Sequence, residues 1–394
     1  MPTPSLFDQN PPEEAVVRSH LRSGFAFLNR TTDSKYVPLR DMLDDWFSRY
    51  PEEASNDLSA RFRSSNEIDH VGAFFELVIH QLHIELGAEV HTHFATGQTG
   101  PKIPDFFVTD PDLASSYVEA TVVTGKSMER QAAEARMDDI VETLNRLIES
   151  PNFWLSMERR GLPRAPAGAK QVAQEINRNL AKLDQAEKAA PVSGGGSDSF
   201  PIWSFDLEGC VLTFQPFPKG DFARGKSSMR PIALQTGEFE FVDDRGPIRK
   251  AITRKANRYG SLGVPFVVAL NCIEMIDEID IMEALFGKEQ FHVPVGLDNK
   301  VTSEDIGFSR KPDGAWTNPI GPRYSRVSAV LIAIHLRPWS IGDVVIRLYH
   351  NPWAELEYSS VLTRLNQARL QNGLMRKIEG DSLADILELN SYLD

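Results

Sequence analysis

The segment Ser116–Val123, SYVEATVV, constrains this chain more than any other, because it is a β-branched run with one acid in its middle. Such a run forms a strand, and side chains alternate between faces along a strand. Val118, Ala120 and Val122 then share an apolar face suited to a core, while Glu119 and Thr121 share the other. An unpaired carboxylate is costly to bury, so Glu119 either faces water or meets a compensating group. Asp105 opens the run DFFV fourteen residues earlier, and the short connection DPDLASS sets the two runs side by side. Asp105 and Glu119 therefore fall at one end of a sheet. Two close carboxylates raise the pKa of one of them unless a cation lies between, and Mg²⁺ takes one or two carboxylates in this way.

Two helices flank this region in the sequence. From Ile68 to Leu86, ahead of Gly87, a wheel at 100° per residue gathers Val71, Phe74, Phe75, Val78, Leu82 and Leu86 on one arc. Glu76, His80 and His83 form a stripe at its border, where the plain reading is a polar flank and the sharper one a carboxylate leaning over the sheet. A second helix, Pro247 to Leu262, places Ile248, Ile252, Lys255, Tyr259 and Leu262 along one line. Lysines on an inward line are rare unless paired. Lys255 either meets the carboxylates or snorkels to the surface.

Together, Glu76 in FFELVIHQLHIELG, the Pro104-Asp105 pair and the strand Glu119-Ala120-Thr121 resemble the PD-(D/E)XK nuclease superfamily. KANRYG followed by GVPFVVALN is similar to the second core helix and fourth strand of that family, with Lys255 and Tyr259 at the spacing of its Gln-x-x-x-Tyr pattern. The resemblance covers about residues 68–125 and 246–272. It implies an α/β, restriction-endonuclease-like fold: a mixed central sheet flanked by helices, with a helical insertion and terminal extensions. It implies a Mg²⁺- or Mn²⁺-dependent endonuclease acting on DNA, with Asp105, Glu119 and Glu76 at the metal. Thr121, Arg254, Arg258 and Tyr259 would hold substrate. One departure matters, because Thr121 stands where the family keeps a lysine. Lys255, Lys102 and Lys126 are candidates for a relocated lysine; loss of activity, leaving a protein that binds or senses nucleic acid, or a structural subunit, is the other outcome. A defence or restriction role, as a homodimer or with a partner subunit, follows from the same resemblance.

The rest of the chain sets the surroundings. A net charge of -13 disfavours wholesale coating of nucleic acid, yet Arg245 to Arg258 holds six basic residues and no acid. Two cysteines make a disulfide framework unexpected, and no export signal or apolar span is evident, so the expectation is a cytoplasmic protein away from membranes. His80, His83, His91 and His93 offer HxH and HxxH spacings as a zinc alternative. The expected organisation is a helical extension over 1–67, core over 68–125, a helical insertion and linker over 126–200, core again over 201–295, and C-terminal strands with a helical tail over 296–394.

Overall fold

The computed structural model describes residues 5–8, 24–92, 102–110, 112, 114–125, 128–165, 168–189, 200–220, 222–225, 230–237, 245–274, 276–292, 307–371 and 373–389. The chain divides into two compact units, one formed mainly by residues 22–125 and 243–394 and the other by residues 126–242.

The first unit begins with helices α1 (Gly24–Arg30), α2 (Val37–Ser48), α3 (Glu52–Phe62) and α4 (Glu67–Glu85). One side of α2 is apolar and buried, with Leu39, Met42, Leu43, Trp46 and Phe47 all inside. Asn66 caps α4 by accepting the Ile68 N–H at 2.9 Å, with Glu67 and Asp69 in its positive first turn. Gly87, at φ 87°, ends it in the left-handed region that a side chain disfavours. Strands β1 (Glu89–Thr92), β2 (Phe106–Thr109) and β3 (Ser116–Val123) follow as an antiparallel meander.

The second unit intervenes in the chain. It contains α5 (Met128–Leu147), β4 (Phe153–Gly161), α6 (Ala169–Ala189), β5 (Trp203–Leu207), β6 (Cys210–Pro218) and β7 (Ile232–Gly237). Its strands form one sheet in the order β5-β6-β4-β7. Glu208 and Gly209 both have positive φ, the conformation a two-residue hairpin turn demands, and they join β5 to β6. Two expectations need correction. The break in the helix-rich stretch, NFWLSMERRGLP, is strand β4, whose Phe153, Leu155 and Met157 enter the unit's core. The insertion therefore ends near residue 242 and not 200, because β6 pairs back onto β4 and carries β5 on its other edge, so neither belongs to the larger sheet.

The first unit resumes with α7 (Arg245–Ala256), β8 (Phe266–Cys272) and α8 (Glu278–Phe286). Short pairs follow, β9 (Glu289–His292) with β10 (Gly307–Arg310) and β11 (Thr317–Asn318) with β12 (Gly321–Pro322). Strands β13 (Ala329–Ile334), β14 (Val345–His350), β15 (Gln367–Gln371) and β16 (Leu374–Ile378), then the single turn α9 (Leu383–Ile386), complete it. The sheet has eight strands in the order β1-β2-β3-β8-β13-β14-β15-β16, with β3, β8 and β13 parallel. It is a mixed sheet flanked by helices in an α/β unit. The C-terminal stretch differs from expectation: β13 lies directly against β8 within the sheet, and the expected helical tail is mostly the β15-β16 hairpin.

Strand β8 is buried at every position, as a strand covered on both faces must be. Its Val267 and Ala269 enter a core shared with α1 to α4, and Val268 and Leu270 a core shared with α7 and α8. Strand β3 divides likewise. Val118 and Ala120 face α4, so Glu119 is directed into the layer of α7. Residues 126–242, with a core of their own, should fold when expressed alone; a cooperative thermal transition by circular dichroism is expected, and a non-cooperative melt would count against an autonomous unit.

Candidate active site

Glu119 is the centre of the site, at 1% exposure. The β2-β3 register pairs Phe106 with Val118, so one residue further Asp105 stands opposite Glu119. The two acids are cross-tied: the Asp105 N–H donates to Glu119 Oε2 at 3.2 Å, and the Ala120 N–H donates to Asp105 Oδ2 at 2.8 Å. Three further donors reach Glu119 from α7 and the turn after it. The Lys255 ammonium forms a very short ion pair with Oε1, Arg258 approaches Oε1 at 3.3 Å, and the Tyr259 hydroxyl donates to Oε2 at 2.5 Å. An ionised carboxylate offers about four lone-pair sites. Glu119 has a donor for each.

Lys255 is buried and paired, so its place on the inward line with Ile248 and Ile252 reflects a partner and not a snorkelling stem. The helix itself ends at Ala256, short of the expected Leu262, and Tyr259 reaches Glu119 from the turn beyond. Thr121, two residues past Glu119 on the same strand, accepts from Arg254 at 3.4 Å. Lys102 is exposed, and Lys126 lies outside the described residues.

Asp105 is less well compensated. Burial is the largest cause that pushes its pKa up, to about 8, followed by the charges of Glu119 and Glu76; Lys255 and the Ala120 N–H only partly oppose this. Some of its surface stays open to solvent, but its carboxyl lies among enough protein atoms for desolvation to dominate. Glu76 stands apart from the Glu119 donors. Its carboxylate accepts the Tyr50 hydroxyl at 2.7 Å and Arg61 at 2.8 Å, while its charge still acts on Asp105. The Tyr50 and Arg61 contacts were not readable from the sequence, since neither residue shares a helix with Glu76.

The polar flank expected on α4 is not a flank. His80 and His83 are buried, and the His80 ring lies 4.9 Å from that of Tyr50 and 6.1 Å from that of Phe106 on β2. Burial lowers both imidazole pKa values to about 4, leaving them neutral. His91 lies on β1 and His93 outside the described residues. Among the described residues no three His, Cys, Asp or Glu side chains converge as a ready metal-ligand set, so neither the histidines nor the three acids form one as they stand. The residues brought together are Asp105, Glu119, Lys255, Arg258 and Tyr259, with Thr121 and Arg254 adjoining. Compared with known proteins, the chain matches no family model, and no curated protein or solved structure matches it significantly.

Two stability measurements test this geometry. An acid whose folded pKa is raised from 3.8 to about 8 contributes stability that is fully present below the lower value and is lost as pH rises toward the higher one. Asp105→Asn should therefore flatten the fall in urea-melt stability across that range and leave the variant more stable than the parent near its upper end; an unchanged slope would count against a raised pKa. Removing Asp105 takes away a charge that Glu119 and Glu76 oppose, whereas Glu119 is the anion that compensates buried Lys255. Glu119→Ala should cost about 3–5 kcal/mol, the scale for breaking a buried pair, and Glu119→Leu with Lys255→Met should recover most of it. A cost below about 1 kcal/mol would show that the pair is not structural.

Proposed function

We propose that this chain hydrolyses phosphodiester bonds of DNA with a divalent cation, Mg²⁺ or Mn²⁺, held by Asp105 and Glu119. The observation that carries the reading is the placement of Lys255. The family resembled keeps a lysine two residues after its strand glutamate; here Thr121 has that position and a lysine from α7 reaches the same carboxylate. The order α4, a three-stranded antiparallel meander, α7 and a strand parallel to β3 supports the same reading.

The donor set suits a hard cation. Asp105 and Glu119 offer oxygen, and the raised pKa of Asp105 marks negative charge that the protein's own cations leave partly uncompensated. Asp105 would be the principal ligand; Glu119 joins if Lys255 or Tyr259 releases one of its oxygens. Glu76 acts on Asp105 through its charge, and Arg61 and Tyr50 hold it in place. When bound, the cation supplies Lewis acidity and a water of lowered pKa. Lys255 would turn its ammonium from Glu119 toward the developing charge on the phosphate. Arg258 and Arg254 would bind non-bridging oxygens, and Tyr259 would orient Glu119. Cleavage of foreign DNA in a defence system is the role that fits such an activity.

A second reading is favoured by one specific observation, the full set of donors on Glu119. A carboxylate so occupied suits a scaffold that binds nucleic acid without cutting it. Plasmid nicking separates the two. The first reading expects cleavage with Mg²⁺ or Mn²⁺ and none with EDTA. It also expects the metal to abolish the pH dependence owed to Asp105. Lys255→Ala should lower the rate about 10²–10³-fold, as loss of one charge-stabilising donor does, with partial return on adding Thr121→Lys. Intact plasmid at every metal concentration, with DNA still bound, would leave only the second reading.

A further inference from the structure

The buried side of α7 serves Glu119, but its exposed side has no such structural explanation. Arg245–Ala256 contains no acid, and its first turn has none to complement the helix dipole. Lys250, Arg254 and, in the turn beyond, Arg258 are spaced four residues apart and are all exposed. Like charges at that spacing destabilise a helix by a few tenths of a kcal/mol per pair. Cations near a helix start add a similar cost. The sequence thus keeps this helix positive against its own local stability, in a chain whose net charge is -13. A conflict between local stability and composition is expected where a ligand supplies the missing charge.

The geometry gives that ligand a place. An open basin of about 430 Å³ lies along this side, lined by Gly246, Arg249, Lys250, Thr253, Arg254 and Asn257. Every lining side chain is a cation, an amide or a hydroxyl, and Gly246 adds none. Arg249 is tied to the Asp313 carbonyl at 2.6 Å, which fixes one wall. The line of cations ends at the acid pair: Arg254 meets Thr121, and Arg258 meets Glu119. Four residues of helix rise about 6 Å, comparable with the step between neighbouring phosphates of an extended strand.

We infer that the exposed side of α7 is a track for the phosphodiester backbone of a DNA strand, running from Lys250 through Arg254 to Arg258 and delivering the strand to Asp105 and Glu119. This deepens the proposed function and rests on it for the identity of the polyanion. Charge complementarity commits the basin to a polyphosphate backbone. Thr253 and Asn257 supply hydrogen bonds to phosphate oxygens, and base edges play no part, so recognition is independent of sequence.

The test is binding of the full chain to a fluorescein-labelled DNA strand and its duplex, and to RNA of the same sequence, by anisotropy in EDTA across a salt series. The parent should bind with affinity falling steeply as salt rises. Lys250→Gln and Arg254→Gln should each weaken binding several-fold and reduce the log–log salt slope by about 1, the loss of one phosphate contact. Lys170→Gln, an exposed cation on α6, should leave the slope unchanged. The same loss on RNA would support backbone recognition, with the sugar not read. Unchanged slopes in both α7 variants would overturn the track, even if the parent nicks plasmid. Slopes that fall as expected in a parent that nicks nothing with Mg²⁺ or Mn²⁺ would uphold the track and overturn hydrolysis. Circular dichroism should show both variants folded, since each removes like-charge repulsion.

Discussion

The ion pair between Glu119 and Lys255 ties together the sheet and the helix layer above it. A carboxylate in the middle of a buried strand demands donors, and no strand neighbour on β8 can supply a side-chain cation, because its partner there is Val268. The donors therefore come from above and from the edge: α7 and its following turn send Lys255, Arg258 and Tyr259, and Asp105 sends its main-chain N–H. Each of these fixes a position that packing alone would leave adjustable. Apolar contacts from Ile248 and Ile252 hold α7 on the sheet, but they tolerate sliding; a buried ion pair with four donors does not, since a misplaced helix would strand both charges.

Satisfying Glu119 in this way leaves its neighbour short. Asp105 lies beside the Glu119 carboxylate and within reach of Glu76, and the cations are directed elsewhere, Lys255 to Glu119 and Arg61 to Glu76. Three acids and three cations, counting Arg258, balance in number but not in arrangement. The imbalance falls on Asp105, which, like Glu76, keeps part of its surface open to solvent. A protein selected for stability alone would place an asparagine there. Keeping an acid there leaves a carboxyl whose pKa burial and the charges of Glu119 and Glu76 push up.

How much of this was legible depended on whether the information was local. The alternation in SYVEATVV divided β3 into the correct faces, and the helical line through Ile248, Ile252 and Lys255 placed the lysine inward. Neither pattern says what covers a face. Alternation could not decide whether Glu119 met water or α7. The wheel of α4 made His80 and His83 a border, when both are buried, His80 between the rings of Tyr50 and Phe106. Long-range pairing was the least visible. The strand Phe153–Gly161 lies between two long helices in the sequence, and only its pairing with β6 and β7 shows that residues 203–237 belong to the inserted unit. Likewise β13 reads as another apolar run, and its parallel place beside β8 is set by the whole sheet.

The two sides of α7 carry like charge under opposite physical conditions. Lys255 is buried against an anion, where salt penetrates little, whereas Lys250 and Arg254 are exposed, where a Debye length of roughly 8 Å at physiological ionic strength screens them. Raising salt therefore weakens the field of the outer cations and leaves the inner ion pair in place. It also relieves the repulsion between the outer cations, so the helix gains local stability as salt rises. The charge that fixes the position of α7 and the charges that face outward thus respond to different surroundings.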